Sequence, residues 1–239
     1  MKKIVFETAE ALACFAADLV QQQITDRPDS ILGLATGSTP VGMYRELAER
    51  NLDFSRVTAF NLDEYYPIRK SDDQSYAYFM KKNLFDHINI RPERCFIPNG
   101  EAENPEEECA RYEQLLHSCG GVDLQILGLG ENGHIGFNEP AAELVAATHK
   151  TDLTPSTIHA NARFFASEAE VPTAALTMGM QTIFSAKKIL VLVTGVKKHA
   201  ILKRLFQGGI GTDAPASLLQ LHPDVTVLAD LAAEQGEQK

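Results

Sequence analysis

Gly128-Leu129-Gly130-Glu131-Asn132-Gly133-His134-Ile135-Gly136-Phe137-Asn138-Glu139-Pro140 follows the apolar run of residues 124–127, and the reading of this junction decides the rest. The run is short and hydrophobic enough for a buried strand, and it ends directly in a glycine-rich loop. Four glycines in nine residues let the backbone approach a ligand. One histidine, two asparagines and two glutamates add polar and titratable groups. That composition points to a site.

Outward from this junction the same unit repeats. Residues 3–6 read as a strand, and residues 8–23 as an amphipathic helix that gathers Ala11, Leu12, Phe15, Leu19 and Val20 on one side. A strand at 30–35 ends in Thr36-Gly37-Ser38-Thr39-Pro40, where Thr39 is expected to cap a helix with Pro40 in its first position, running to about Arg50. A strand at 57–61 terminates at Asp63-Glu64-Tyr65-Tyr66-Pro67. Helical patterns near 76–84 and 105–116 lead to the opening strand. Beyond Pro140 the pattern is irregular up to residue 165. A helix near 171–184, a strand at 188–193, a helix at 197–206 and a strand at 225–229 follow. This alternation predicts an α/β, Rossmann-like fold: one open, mostly parallel sheet with helices on both faces. Residues 1–239 read as a single domain, without a linker or repeat. In such sheets ligands bind beyond the carboxyl ends of strands, so Gly37–Thr39, Asp63-Glu64 and the glycine-rich loop are expected to share one crevice.

Composition narrows the function. A hydrophobic fraction of 44% with 23% charged residues is that of a soluble globular protein. The net charge of −10 argues against a nucleic-acid partner. No signal peptide and no membrane-spanning run is recognisable, so a cytoplasmic protein is expected. Cys14, Cys95, Cys109 and Cys119 show no metal-ligand or disulfide spacing and read as reduced thiols; no metal is expected.

Each candidate site has a competing reading. Gly128-x-Gly130-x-x-Gly133 matches the dinucleotide fingerprint literally, but Gly136 and Pro140 interrupt the helix it requires and several β/α units precede it. Gly37-x-x-x-x-Gly42 has Met43 where a P-loop needs lysine. Neither a nicotinamide nor a nucleotide cofactor is expected. Gly37, Ser38 and Thr39 at a helix start suit a phosphate monoester, with Arg163 and Lys198 as supplementary cations; the bland alternative is an ordinary capped turn. Asp63 and Glu64 are adjacent on an extended segment and point in opposite directions, so one faces the crevice as a candidate base and the other serves structure. Glu139 is placed to orient His134.

These motifs resemble glucosamine-6-phosphate deaminases over nearly the whole chain. Leu34-Ala35-Thr36-Gly37-Ser38-Thr39-Pro40, Asn61-Leu62-Asp63-Glu64-Tyr65 and the stretch from Gly128 to Pro140 are similar to that family's main motifs, in order. Asn161-Ala162-Arg163-Phe164-Phe165, Gly195-Val196-Lys197-Lys198 and Leu219-Gln220-Leu221-His222-Pro223 add to the likeness. The resemblance implies conversion of glucosamine 6-phosphate and water to fructose 6-phosphate and ammonia in amino-sugar catabolism, without a cofactor. It makes Asp63 the base that moves the C2 proton to C1, and His134 the group that assists ring opening, arranged by Asn132 and Glu139. Gly37, Ser38, Thr39, Arg163 and Lys198 would hold the phosphate.

Two departures matter. Asn132 stands where many members have aspartate, leaving Glu139 as the charged partner of His134. Ala141-Ala142-Glu143 and Thr148-His149-Lys150 lack the serines and the Arg-x-Lys pair that bind an activator in hexameric members. A non-allosteric protein without an N-acetylglucosamine 6-phosphate activator site, and a monomer, is therefore expected. Residues 151–170 are expected to close as a lid over the substrate. A 6-phosphogluconolactonase-like hydrolase is the enzyme alternative, which Phe137-Asn138-Glu139-Pro140 disfavours. A non-catalytic sugar-phosphate sensor domain would have no use for Asp63, His134 and Glu139 together.

Overall fold

The structure is a computed structural model that describes residues 1–162, 165 and 167–237. Its strands are β1 (Lys2–Phe6), β2 (Ile31–Leu34), β3 (Thr58–Asn61), β4 (Asp63–Tyr66), β5 (Cys95–Phe96), β6 (Leu124–Gly128), β7 (His149–Asp152), β8 (Ala174–Thr177), β9 (Lys188–Val193) and β10 (Val225–Asp230). The helices are α1 (Ala9–Asp26), α2 (Ser38–Glu49), α3 (Tyr76–Asn83), α4 (Pro105–Cys119), α5 (Pro155–Asn161), α6 (Met180–Phe184), α7 (His199–Gln207) and α8 (Leu231–Gln235). Seven strands form a parallel sheet in the order β1-β10-β9-β6-β2-β3-β5. The expected α/β, Rossmann-like architecture is present.

Strand β9 shows why the sheet is buried on both faces. Ile189, Val191 and Val193 enter one apolar cluster, with Tyr112 and Leu116 of α4, Ile183 of α6 and Ile201, Leu202 and Leu205 of α7. Leu190 and Leu192 enter the other, with Leu12, Ala16 and Val20 of α1 and Met43, Tyr44 and Leu47 of α2. A continuous apolar run is what a parallel strand covered by helices on both sides requires. None of the described helices is long and apolar enough to cross a membrane.

Strand order fixes the location of the site. From β2 the chain steps outward through β3 to β5, then returns to β6 on the other side of β2 and continues to β9 and β10. The reversal lies between β2 and β6, and crevices open beyond the strand ends at such a switch point. Two buried tyrosines brace that end: Tyr44 Oη donates to the Ala35 carbonyl at 2.6 Å, and Tyr112 Oη to the Asn61 carbonyl at 2.8 Å.

The structure corrects four expectations. Residues 63–66 are not merely the polar end of the strand at 57–61; they form a strand of their own, β4, which pairs with β8 in a separate antiparallel sheet, β4-β8-β7. Residues 171–184 are not one helix, because Ala174–Thr177 is buried between β4 and β7 and Gly179 breaks the chain before the short α6. Any side chain at Gly179 would run into the carbonyls of Ala146 and Ala147, at 2.4 and 2.2 Å from a Cβ. The tract after Pro140 is not irregular throughout, since β7 and α5 lie within it. Finally, α2 begins at Ser38 with Gly37 as its cap at φ 100°, so Pro40 falls in the first turn, where its missing N–H is still harmless, and Thr39 is not the cap.

Candidate active site

The first wall of the crevice is the turn from β2 into α2. The first amides of a helix have no intrahelical acceptor, and here they belong to Ser38, Thr39 and their neighbours. A Cβ built on Gly37 would have no atom within 4 Å, so the loop stands open to the crevice. The turn after β9 faces it: Thr194 Oγ1 lies 3.5 Å from Thr39 Oγ1. Gly195, at φ 92°, is fixed by its N–H donating to both carboxylate oxygens of Asp230 at 3.1 Å. Lys198 ends the short 3-10 turn that follows and leads into α7. The sequence-predicted Gly37, Ser38, Thr39 and Lys198 are thus brought to one end of the sheet. Arg163 lies outside the described residues.

The second wall is the step from β3 to β4. Asp63 is only 5% exposed, and burial, assisted by the neighbouring Glu64, pushes its carboxyl up to about 8. Burial raises the hydroxyls of Tyr44, Tyr76 and Tyr112, and the same carboxylate adds to the rise in all three. Glu64, on the opposite face, is consumed by structure. It accepts from the backbone N–H of Tyr65 at 2.9 Å, Tyr76 at 2.8 Å and Ala77 at 2.9 Å, closing the start of α3. Desolvation raises Glu64 to about 7, and those three donors work against the rise. The Tyr76 ring packs on that of Tyr65, centroids 4.8 Å apart, and Leu62 N donates to the Leu34 carbonyl at 2.9 Å, which joins this wall to the end of β2. Nothing in the sequence set Tyr76 apart from an ordinary helix residue.

The glycine-rich loop after β6 supplies the third wall. Its N–H and carbonyl groups close on themselves: Gly130 N donates to the His134 carbonyl, and Gly133 N to the Gly130 carbonyl, each at 3.0 Å. Gly133 and Gly136 occupy positive φ, 91° and 58°, which favours glycine. Gly130 is required for a different reason, since a Cβ there would sit 2.5 Å from the His134 ring. The far side is held to β8, where the Asn138 side-chain amide donates to the Met178 carbonyl at 2.8 Å and Phe137 N to Thr177 Oγ1 at 3.2 Å. Phe137 also stacks on Tyr76, ring centroids 6.0 Å apart. All three walls therefore meet.

Within that loop His134 Nδ1 lies 3.3 Å from Glu139 Oε1, close enough for an ion pair but off the line of a hydrogen bond. Asn132 bridges the pair: its Nδ2 donates to Glu139 Oε2 at 2.6 Å and its Oδ1 accepts from His134 N at 3.1 Å. Thr157 Oγ1 of α5 donates to Glu139 Oε1 at 2.6 Å. Burial works to raise the Glu139 carboxyl, but His134, Thr157 and Asn132 together outweigh it and hold it at about 2. Glu139 is thus a fixed anion beside a third-exposed imidazole. Thr157 was missed by the sequence reading; the Thr154-Pro155 helix start was the available signal.

A buried carboxyl on one strand end, a histidine beside a carboxylate on another, and an open helix N-terminus are groups that can move protons on a small anionic substrate. A cleft of about 700 Å³ lies elsewhere, lined by Pro67, Arg69, Asp72 and Glu101 among others, and none of the crevice groups lines it. No cluster of three or more potential metal-ligating side chains occurs among the described residues.

Residues 6–228 match the family of glucosamine-6-phosphate isomerases and 6-phosphogluconolactonases. The chain belongs to that family. Among its relatives, glucosamine-6-phosphate deaminase of Halothermothrix orenii is 50% identical over 98% of this chain and 98% of its own. That of Clostridium perfringens is 51% identical over 96% of this chain and 97% of its own. A solved monomeric glucosamine-6-phosphate deaminase superposes with a TM-score of 0.95 at 48% identity, covering 98% of both chains. The 6-phosphogluconolactonase of Thermotoga maritima, 21% identical, covers 96% of this chain and 98% of its own with a TM-score of 0.77, and shares the fold.

Proposed function

We infer that this chain is a glucosamine-6-phosphate deaminase, converting glucosamine 6-phosphate and water to fructose 6-phosphate and ammonia. The observation that carries the reading is the constellation of Asp63, His134 and Glu139 at one switch point, in a chain about half identical to deaminases over nearly its full length. Gly37, Ser38, Thr39, Lys198 and Arg163 hold the phosphate. His134, aligned by Glu139 and Asn132, passes protons between the ring oxygen and the anomeric hydroxyl as the sugar opens. Asp63 removes the C2 proton from the aldehyde form and returns it at C1, leaving an imine at C2; water adds there and ammonia departs. Burial makes Asp63 a stronger base than a free carboxylate, which suits removal of a proton from carbon. Purified protein should release ammonia from glucosamine 6-phosphate, and Asp63→Asn should not. Silence from the wild type rejects the activity, and an undiminished Asp63→Asn rejects the base.

The absent activator residues and the monomeric solved relative support a non-allosteric monomer. Light scattering should give the mass of one chain, and N-acetylglucosamine 6-phosphate should leave a hyperbolic saturation curve unchanged. Residues 151–170 are the lid of this site, with α5 of that segment meeting the catalytic loop at Glu139.

A further inference from the structure

We propose that Thr157 is a positioning residue for the acid–base histidine: its hydroxyl holds the Glu139 carboxylate in the orientation that faces His134. The proposal rests on His134 and Glu139 acting as the ring-opening pair. Each Glu139 oxygen has one short partner, Asn132 Nδ2 on Oε2 and Thr157 Oγ1 on Oε1, both at 2.6 Å. His134 is the weaker neighbour of Oε1, at 3.3 Å and off the hydrogen-bond line. The carboxylate is therefore oriented by Asn132 and Thr157, and the imidazole is set against a carboxylate already fixed. Asn132 belongs to the same loop as His134, so it moves with it. Thr157 reaches in from α5, the separate element that ties the loop down at this point.

Proton accounting fixes the direction of that bond. A hydroxyl carries one proton and accepts through its lone pairs. Thr154, the N-cap of α5, accepts from Thr157 N at 3.2 Å and donates its own hydroxyl proton to Thr157 Oγ1 at 3.0 Å. Thr157 is thus an acceptor toward Thr154, and its single proton is left for Glu139. The start of α5 sets the relay, because the group that caps the helix also orients Thr157. With one direction on Oε1 filled by Thr157, the other is turned toward His134 Nδ1, 3.3 Å away. That leaves Nε2 as the nitrogen that exchanges a proton with the sugar.

The test uses the full-length enzyme and ammonia release from glucosamine 6-phosphate. Thr157→Val keeps the branched shape and loses the donor, so kcat should fall about 10-fold, the size of one hydrogen bond to a charged group, while KM stays within about 2-fold. Thr157→Ser restores the donor without the methyl and should recover kcat to within about 2-fold of wild type. The 15N signal of His134 Nδ1 should show loss of the Nδ1–H form in Thr157→Val and its retention in Thr157→Ser. Wild-type kcat in Thr157→Val, a defect that Thr157→Ser does not rescue, or a rise in KM at constant kcat overturns the proposal. If Thr157→Val does not fold, Thr157→Ala carries the same expectation. If the wild type releases no ammonia, the deaminase reading fails, and the His134 signal still decides whether Thr157 holds the pair.

Discussion

Gly130→Ala gives a direct test of how tightly the imidazole is seated. The backbone at Gly130 is not in the positive-φ region, so alanine is tolerated there conformationally, and the whole effect falls on the neighbour. The three atoms nearest the added methyl all belong to the His134 ring, at 2.5 Å, whereas ordinary contact begins at 3.4 Å. The ring must retreat by roughly 1 Å, a displacement that costs on the order of 100-fold where reacting atoms have to be aligned. It also leaves Glu139, which cannot follow because Asn132 and Thr157 hold both of its oxygens. We expect kcat for ammonia release to fall on the order of 100-fold, with the phosphate site untouched and KM little changed. Thermal stability should drop only slightly, because a partly exposed ring can yield. A Gly130→Ala enzyme with wild-type kcat would refute the reasoning, since the imidazole would then have no need of its place.

Asp63 links activity and stability with opposite signs. Its carboxyl is raised to about 8 in the folded state, against about 3.9 in an unfolded chain, so its contribution to stability is complete below the lower value and is lost as pH rises through the higher. Asp63→Asn cannot ionise, and its melting temperature should climb relative to wild type between about pH 5 and 9; a constant difference contradicts the burial argument. Because the base must be ionised, wild-type kcat/KM should rise with pH through about 8, and a flat profile there removes Asp63 from the role. Glu64→Ala strips the acceptor from three backbone donors, Tyr65 of β4 and Tyr76 and Ala77 at the start of α3, and should destabilise by about 2 to 3 kcal/mol in urea unfolding. A loss below about 0.5 kcal/mol would show that water satisfies those donors equally well.

Much of the framework was legible because it is written in local pattern. The apolar run of β9, the glycine-rich exit of β6 and the Gly-Ser-Thr turn after β2 each carry their own signal of strand, loop and helix start. Asp63 and Glu64 showed the same economy: adjacent residues on extended chain face opposite ways, so only one carboxylate could be taken up by structure, and Glu64 is the one bonded at the start of α3. The apolar tract at 171–184 misled because its composition suits a buried helix and a buried strand equally, and pairing with β4 and β7 decided between them.

The sequence by itself determined the alternation of strands and helices, the three strand-end motifs and the chemistry their side chains can perform, since each depends on residues close together in the chain. Only the tertiary structure decided the burial that raises Asp63, the antiparallel sheet that begins at it, and the contact of Thr157 with Glu139 across 18 positions. Those depend on which distant segments pack together, and desolvation and hydrogen bonding act through space without regard to sequence order.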